Sequence, residues 1–413
     1  MSQASNFRAH RVPASRAGAL GLAVGLCLIA GGCVPGSLGT PPEAVLSAPT
    51  TPVQSAPLAG AQPASGQTMG AGPVRIALIL PLTQSSGPSV VGTSLRNAAE
   101  MALEDSKSLD VTILVKDDRS TPDGARDAAQ QAVAEGAEII IGPLFAGNLK
   151  EAGKIARAAN RPVIGFSTDT SAAARGVYEL SFLIEGYVDR IVDFAAAKGK
   201  RSIAALVPES DYGNIALAEF QQVAARRGIR VQSIERYNAA SVGAAAQRIA
   251  ALGNQIDALF IPDQADGMAP VAQALTAAGI SNAKVQILGT GVWNDARVLK
   301  YAPLQGAWFA TPENSGFNAF AQRYRAKYNS DPTRVATLAY DAISLVSALA
   351  RTQGGQRFAE SVLTTPSGFN GADGVFRFRP DGQNERGLAV LQIGNGTVTT
   401  ISPAPRTFAA SGT

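Results

Sequence analysis

The side chains best suited to catalysis and metal binding are confined to the start of this chain. The only histidine is His10, and the two cysteines are Cys27 and Cys33. Beyond residue 33 the sequence therefore excludes zinc sites built from cysteine or histidine, Ser-His-Asp triads and Cys-His dyads. Catalysis there would have to use carboxylates, lysine, tyrosine or a serine–lysine pair. Only isolated acids support such a hydrolase, so we expect a protein that is not an enzyme and carries neither a metal nor another cofactor.

The first 33 residues have the pattern of an export signal. Three arginines precede an apolar run from Ala17 to Ile29, and Ala30-Gly31-Gly32-Cys33 follows. This order is typical of a secretory signal peptide, and the run is shorter than the roughly 20 apolar residues of a permanent span. The last four residues resemble the lipobox of bacterial lipoproteins, with Ala30 in place of the usual leucine. The resemblance implies that residues 1–32 are removed and that Cys33 carries a lipid anchor.

Composition and charge argue against a nucleic-acid partner. The chain is 46% hydrophobic and 16% charged, which is typical of a well-packed globular protein. Its formal charge is +4, and removal of the three signal arginines would leave +1. No basic stripe remains to bind phosphates.

A segment unsuited to folding follows the predicted anchor. Residues 34–72 contain seven prolines and a single charge, Glu43. Such a composition cannot bury a core, so we expect residues 33–72, which include the lipidated cysteine, to form a disordered tether.

The body of the chain alternates between strand and helix patterns. Buried strands are predicted by apolar runs such as 139–141 and 74–80, the latter interrupted by Arg75, and the segments between them have helical spacing. Thr121 and Pro122 are suited to capping and opening one of these helices. The alternation predicts parallel sheets covered by helices on both faces, and about 330 such residues predict two lobes.

Several strings along this body resemble the type 1 periplasmic binding protein fold, and more narrowly the Leu/Ile/Val-binding family, over residues 73–402. The strings that carry the resemblance are Ile79-Leu80-Pro81-Leu82-Thr83, Ile140-Ile141-Gly142-Pro143-Leu144, Pro162-Val163-Ile164, Asp211-Tyr212-Gly213 and Tyr340-Asp341-Ala342. The resemblance implies an α/β fold of two doubly wound parallel-sheet lobes with three crossovers and a ligand cleft between them. It implies one lobe from residues 73–184 and 313–380, a second from 185–312 and 381–402, and crossovers near 182–185, 310–312 and 378–386. We expect residues 403–413 to form a disordered tail.

The resemblance places candidate ligand-binding residues in the loops that follow the strands. In the loop 166–170, hydroxyls and amides can donate to a ligand carboxylate, or they can satisfy the local turn instead. Tyr212 stands where the family often has a ligand-contacting tyrosine, although a tyrosine at a helix start can also be a packing residue. The complete set of predicted cleft residues is Phe145, Ser167, Thr168, Thr170, Tyr212, Asp263, Gln264 and Trp293.

The chain departs from the amino-acid binders of this family at the site for the ligand ammonium group. Those proteins place an acid after a late strand, but the matching stretch here is Gly289-Thr290-Gly291-Val292-Trp293, and Asp295 is displaced. An ammonium group buried without a partner is costly. Asp263 or Asp266 could substitute for the missing acid.

Two functions remain in view from the sequence alone. The anchor, the string Val292-Trp293-Asn294-Asp295 and the missing acid resemble the penicillin-binding protein activators, outer-membrane lipoproteins that stimulate a peptidoglycan synthase by contact. The well-known activators carry an additional helical-repeat domain, which this chain replaces with the tether. The alternative is the solute receptor of an ABC transporter for branched-chain or related amino acids, with an inner-membrane permease as partner and a small amino-acid-like ligand. Both hypotheses imply a lipid-anchored periplasmic protein, and the resemblance favours the outer membrane over the inner.

Overall fold

The computed structural model describes residues 66–408, which belong to one compact unit. Its ten helices are α1 Val90–Ser106, α2 Pro122–Ala134, α3 Ala146–Ala158, α4 Ile184–Ala197, α5 Asp211–Arg227, α6 Val242–Ala250, α7 Met268–Ala277, α8 Asn314–Tyr328, α9 Ala336–Thr352 and α10 Glu360–Leu363. Its strands are β1 Thr68–Gly70, β2 Val74–Leu80, β3 Thr83–Gln84, β4 Gly87–Pro88, β5 Val111–Asp117, β6 Ile139–Ile141, β7 Val163–Gly165, β8 Val177–Glu179, β9 Ser202–Pro208, β10 Arg230–Tyr237, β11 Ala258–Phe260, β12 Gln286–Gly289, β13 Trp308–Thr311, β14 Phe369–Gly371, β15 Gly374–Phe378, β16 Asn384–Arg386, β17 Ala389–Gly394 and β18 Thr397–Ser402.

The first lobe is built on a six-stranded sheet of order β1-β5-β2-β6-β7-β8. All neighbouring strands are parallel except β1, which pairs antiparallel with β5. Alternate residues of β2 serve opposite faces: Ile76 and Leu78 pack with α1, α8 and α9, whereas Ala77 and Ile79 pack with α2 and α3. Burial on both faces explains why residues 76–80 of this strand are continuously apolar.

The second lobe has a seven-stranded sheet of order β10-β9-β11-β12-β13-β17-β18. Its first five strands are parallel, and β17 and β18 are antiparallel additions. Ile203 and Ala205 of β9 face α4 and α5, and Ala204 and Leu206 face α6 and α7. The predicted α/β architecture of two parallel-sheet lobes, each covered on both faces, is confirmed.

The chain passes between the two sheets three times. It leaves β8 for α4, returns from β13 to α8, and finally enters β17. Before the last passage it forms a small antiparallel sheet of β14, β15 and β16, and Phe376 and Phe378 of this sheet pack in the core of the first lobe. The predicted lobe boundary after residue 380 therefore falls inside the β15–β16 hairpin.

Local capping explains where α2 begins. The Thr121 hydroxyl accepts a hydrogen bond from Gly124 N at 3.0 Å, and Pro122 occupies the first helical position, as the sequence predicts. Both features suit a helix start. The first amide N–H groups of a helix have no acceptor inside it, so a side chain can accept from them, and proline has no N–H group that would need an acceptor.

The predicted tether and tail are corrected at their inner ends. Thr68–Gly70 forms β1 because its backbone pairs with β5, an interaction that composition does not reveal. Two residues of the predicted tail also contact the folded body: Ala404 N donates to Glu313 Oε1 at 3.0 Å, and the Arg377 guanidinium lies 4.6 Å from the Phe408 ring centroid. The predicted signal peptide 1–32, Cys33, residues 34–65 of the tether and residues 409–413 of the tail lie outside the described residues. Between residues 66 and 408, no helix is long and apolar enough to span a bilayer.

Candidate ligand-binding cleft

A cavity of about 580 Å³ lies where the two lobes face each other beside the first and second chain crossings. Residues from both lobes line it, so a molecule in the cavity would touch both. The lining residues are Thr168, Phe182, Ile184, Tyr187, Tyr212, Gly291, Val292, Asn294, Asp295, Thr311, Asn314, Phe317, Asn318, Arg334 and Val335.

The wall from the second lobe is formed mainly by the turn after β12. A Cβ atom on Gly291 would lie 2.5 Å from the Tyr187 ring and 3.0 Å from the Ala310 carbonyl oxygen. This close approach requires glycine, and it brings the turn against the start of α4. Val292, Asn294 and the neighbouring Asp295 then face the cavity.

Two tyrosines, Tyr187 and Tyr212, line the cleft. Tyr212 lies at the start of α5, and its hydroxyl hydrogen-bonds with the buried Thr290 hydroxyl at 2.7 Å. Burial raises the pKa of Tyr212 and raises the pKa of Tyr187 to about 12. Both phenols are therefore neutral hydrogen-bonding groups in the physiological range.

The cation of the cleft is Arg334, which stands just before α9. Its Nη1 and Nη2 donate to the two carboxylate oxygens of Asp373, each at 2.8 Å, and Asp373 is fully buried. The Arg334 guanidinium also lies 4.4 Å from the ring centroid of Phe182 and 4.6 Å from that of Phe317. The acid and the rings together hold this guanidinium in one orientation.

A second arginine lies behind Phe182. The Arg386 guanidinium is 4.8 Å from the Phe182 ring centroid, and its nearest acid is Asp341, whose Oδ2 is 4.0 Å from Nη2. Burial lowers the pKa of Arg386 and raises the pKa of Asp341 to about 7, although Arg386 opposes the second shift. Arg386 is nearly inaccessible, so Arg334 is the arginine that a ligand in the cleft can reach.

The one acid that lines the described cleft is already engaged. Asp295 Oδ1 accepts from Arg297 N at 2.8 Å and from Nε at 3.0 Å, and Oδ2 accepts from Nη2 at 2.8 Å. These bonds hold the pKa of Asp295 below its usual value. Asp295 is therefore ionised, and its oxygens are engaged by Arg297, which also donates from Nη1 to Asp266 at 2.7 Å. Asp266, the other acid that the sequence offered as a substitute, is exposed and does not line this cavity.

A direct hydrogen bond crosses the cleft between two side-chain amides. Asn294 Nδ2 in the second lobe donates to Asn314 Oδ1, at the start of α8 in the first lobe, at 2.6 Å. Both side chains line the cavity, so this bond bridges the two lobes at its wall.

Of the eight cleft residues predicted from sequence, Thr168 and Tyr212 line this cavity. Thr170 instead lines a separate cavity behind the crossings, where its hydroxyl donates to Glu185 at 3.2 Å. Ser167 is buried and its hydroxyl accepts from Asp169 N, which is the local turn role considered as the alternative. Phe145 is an exposed residue that immediately precedes α3 and is not among the lining residues.

Asp263, Gln264 and Trp293 do not line this cavity either. Trp293 is fully buried in the core of the second lobe, and its Nε1 donates to the Asp263 carbonyl at 3.1 Å. The Asp263 carboxylate is buried and accepts from the Tyr237 hydroxyl at 2.5 Å. Gln264 is exposed outside the cavity. These loops turn back into their own lobe, so none of the three side chains lines the cleft.

Sequence reasoning missed Arg334, Phe182, Phe317 and Asn314. Phe182 and Asn314 lie at or beside the predicted crossovers, which is a usable signal because crossovers border the cleft. Arg334 has no such signal, since its partner Asp373 lies 39 residues further along the chain.

Comparison with known proteins identifies related folds. The model of the family described as periplasmic binding protein matches residues 73–397. A proposed branched-chain amino acid ABC transporter from Rhodospirillum rubrum matches with a TM-score of 0.70 and 19% identity, covering 79% of this chain and 99% of that one. A leucine binding protein from Thermotoga maritima has a TM-score of 0.57 and 22% identity, with coverages of 80% and 98%. A solute binding protein of an ABC transporter from R. palustris, in complex with benzoate, has a TM-score of 0.56 and 18% identity, with coverages of 82% and 98%. No curated protein matches the sequence.

Proposed function

Because the chain belongs to the periplasmic binding protein family, we propose that it is a non-enzymatic receptor for a small organic solute. The solute is held in the cleft between the lobes and presented to an inner-membrane ABC permease. The observation that carries this proposal is the cavity of about 580 Å³ lined by residues of both lobes. Its size lies within the roughly 300–1,000 Å³ range of small-molecule sites.

The lining of the cavity suits an organic solute. Phe182, Val292 and Phe317 supply apolar surface, and Thr168, Asn318 and Arg334 supply hydrogen-bonding groups. Mostly apolar walls with a few fixed polar groups are typical of sites that bind and orient a small molecule. The similar structures include a leucine binding protein and a solute binding protein in complex with benzoate, which supports a solute of this size.

The export signal supports a position outside the cytoplasm. We infer a periplasmic protein whose Cys33 carries a lipid anchor and whose body is connected to it by the proline-rich segment. The similar structures support solute binding more strongly than activation of a peptidoglycan synthase, the function that the sequence alone favoured. Outer-membrane placement loses the support of the activator hypothesis and rests on Val34, which follows Cys33 where an aspartate would disfavour sorting to the outer membrane.

A ligand screen by thermal unfolding tests the proposal on the full-length protein. A ligand at 100 times its Kd stabilises the folded state by about 2.7 kcal/mol. We expect at least one compound among amino acids, organic acids and their amides to raise Tm with a saturable dose dependence. If no compound does so and the protein instead binds a purified peptidoglycan synthase, the activator hypothesis replaces this one.

A matched pair of variants locates the site. Asn318 lines the cleft on α8, whereas the next residue, Ala319, is exposed and is not among the lining residues. Asn318→Trp should fill part of the cavity and abolish the Tm shift, and Ala319→Trp should preserve it. Equal behaviour of the two variants would place the ligand elsewhere.

A further inference from the structure

We infer that the cleft selects a carboxylate without requiring an ammonium group, and that Arg334 is the residue that binds the carboxylate. The inference rests on the proposed solute-binding function and specifies its ligand as an organic acid with a small apolar or aromatic body. Three features of the cleft lead to it: the free donors of Arg334, the fixed orientation of its guanidinium, and the engaged state of the neighbouring acid.

The free donors follow from the bonds that Arg334 already makes. A guanidinium has five N–H groups. Nη1 donates to Asp373 at 2.8 Å and to the Thr337 hydroxyl at 3.3 Å, and Nη2 donates to Asp373 at 2.8 Å. The Nε–H and the second N–H of Nη2 remain, and among the described residues neither has a hydrogen-bond partner. These two groups point to the same side of the planar guanidinium and form a fork that matches the two oxygens of a carboxylate.

The orientation of this fork is set before a ligand arrives. Asp373 is fully buried, and it holds one edge of the guanidinium with two bonds. Phe182 and Phe317 lie against the guanidinium as well. The Arg334 side chain is nevertheless 39% exposed and lines the cavity, so part of it faces the cleft. A donor pair that is fixed in advance loses little conformational entropy on binding.

The opposite wall explains why an ammonium group is not required. Asp295 is the acid of the described cleft, and three donors of Arg297 already occupy its two oxygens. An approaching ammonium group would find that acid already holding three hydrogen bonds from Arg297, whose Nη1 also donates to the exposed Asp266 at 2.7 Å outside the cavity lining. The deamino analogue of an amino acid should therefore bind at least as tightly as the amino acid itself.

Paired probes test this inference on the full-length protein by calorimetry and thermal unfolding. The probes are benzoate with benzamide, 4-methylpentanoate with 4-methylpentanamide, and leucine with leucinamide. We expect at least one of the two simple acids to bind, its amide to bind about 10- to 100-fold more weakly, as for loss of a charged hydrogen bond, and leucine to bind no tighter than 4-methylpentanoate. An amide that binds as tightly as its acid, or leucine that binds more tightly than 4-methylpentanoate, would overturn the inference while leaving solute binding intact. Absence of binding by every compound in the wider screen would overturn both.

Variants assign the effect to Arg334. Arg334→Lys keeps the charge but removes the fork, and the double variant Arg334→Gln with Asp373→Asn avoids leaving a buried carboxylate unpaired. Both should weaken binding of the acid about 10- to 100-fold and change binding of the amide little. The matched control is Arg323→Gln, since Arg323 also pairs with an aspartate and lies over a tyrosine ring, but outside the cleft. Equal losses for acid and amide, or an unchanged affinity for the acid, would show that Arg334 is not the anchor.

Discussion

The hydroxyl of Tyr237 donates to the carboxylate of Asp263 at 2.5 Å, and Asp263 is buried in the second lobe and does not line the cleft. Burial raises the pKa of Asp263, and the bonds from Tyr237 and from Gln264 N oppose that shift. The Asp263 carbonyl meanwhile accepts from Trp293 Nε1. Asp263 therefore connects β10 with the loops after β11 and β12 in the second lobe.

Tyr237→Phe should lower stability without affecting the cleft. The substitution removes one hydrogen-bond donor from a buried carboxylate, which should reduce the free energy of unfolding by about 1–3 kcal/mol. Urea unfolding measures this loss. Ligand affinity should remain unchanged, because neither Tyr237 nor Asp263 lines the cavity. A variant with normal stability and reduced ligand affinity would indicate that Asp263 belongs to the binding site after all.

Trp293→Phe separates a packing role from a binding role. Trp293 is fully buried, and a Cβ atom on Gly289 would lie only 2.3 Å from its indole, so the ring is enclosed on that side. The smaller ring leaves a void and removes the Nε1 donor, which should cost about 1–3 kcal/mol of unfolding free energy. Trp308→Phe is the control, since Trp308 is only partly buried, and it should cost less. Chemical denaturation provides the comparison, and reduced ligand affinity in Trp293→Phe alone would contradict the packing role.

The fold could be predicted because its signals are local. Apolar strand segments such as 76–80 and the cap at Thr121 depend on residues close in sequence. They specify parallel strands buried on both faces whatever the rest of the chain does. Strand β1 was missed because Thr68–Gly70 has the composition of a tether and is ordered by backbone pairing with β5.

The candidate site was predicted only in part because side-chain direction in loops is not local. Thr168 and Tyr212 follow strand ends and do reach the cleft. Asp263 also follows a strand, but its carboxylate is hydrogen-bonded inside the second lobe to Tyr237, which lies 26 residues earlier. Arg334 is held at the cleft by its hydrogen bonds to Asp373, and no sequence pattern around residue 334 predicts the pairing of these two residues.

Glu179 should make stability fall as pH rises. Its carboxylate is fully buried at the end of β8, and neither oxygen has a hydrogen-bond partner among residues 66–408. Burial, followed by the charges of Asp169 and Glu185, raises the pKa of Glu179 from 4.5 to about 8. Between these values the unfolded carboxyl releases its proton while the folded one keeps it. Stability is therefore fully present below the unfolded pKa and declines as pH rises toward 8.

Glu179→Gln removes this titration and resembles the protonated acid in shape. The difference in unfolding free energy between the variant and the unsubstituted protein should shift in favour of the variant by about 2–4 kcal/mol as pH rises from roughly 5 to 8. Urea unfolding at both pH values measures the difference. The exposed Glu209→Gln provides the control and should show little change. Parallel pH profiles for Glu179→Gln and the unsubstituted protein would rule out a neutral Glu179.

Phe182 should stabilise two cations that approach from different parts of the chain. The guanidinium carbons of Arg334 and Arg386 lie 4.4 and 4.8 Å from its ring centroid, whereas Phe317 contacts Arg334 alone at 4.6 Å. A cation–π contact contributes about 0.5–1 kcal/mol when exposed and about 2 kcal/mol when desolvated. Phe182→Leu should therefore lower the free energy of unfolding by about 1–3 kcal/mol, and Phe317→Leu by roughly half as much.

A double-mutant cycle between Phe182→Leu and Arg386→Met isolates the buried contact. Neither Nη atom of Arg386 has a hydrogen-bond partner in the described part of the chain, and the groups around its charge are Asp341 at 4.0 Å and the rings of Phe182 and Phe376 at 4.8 and 5.4 Å. We expect a coupling energy of about 0.5–2 kcal/mol from urea unfolding, and additive losses would show that Phe182 only fills space.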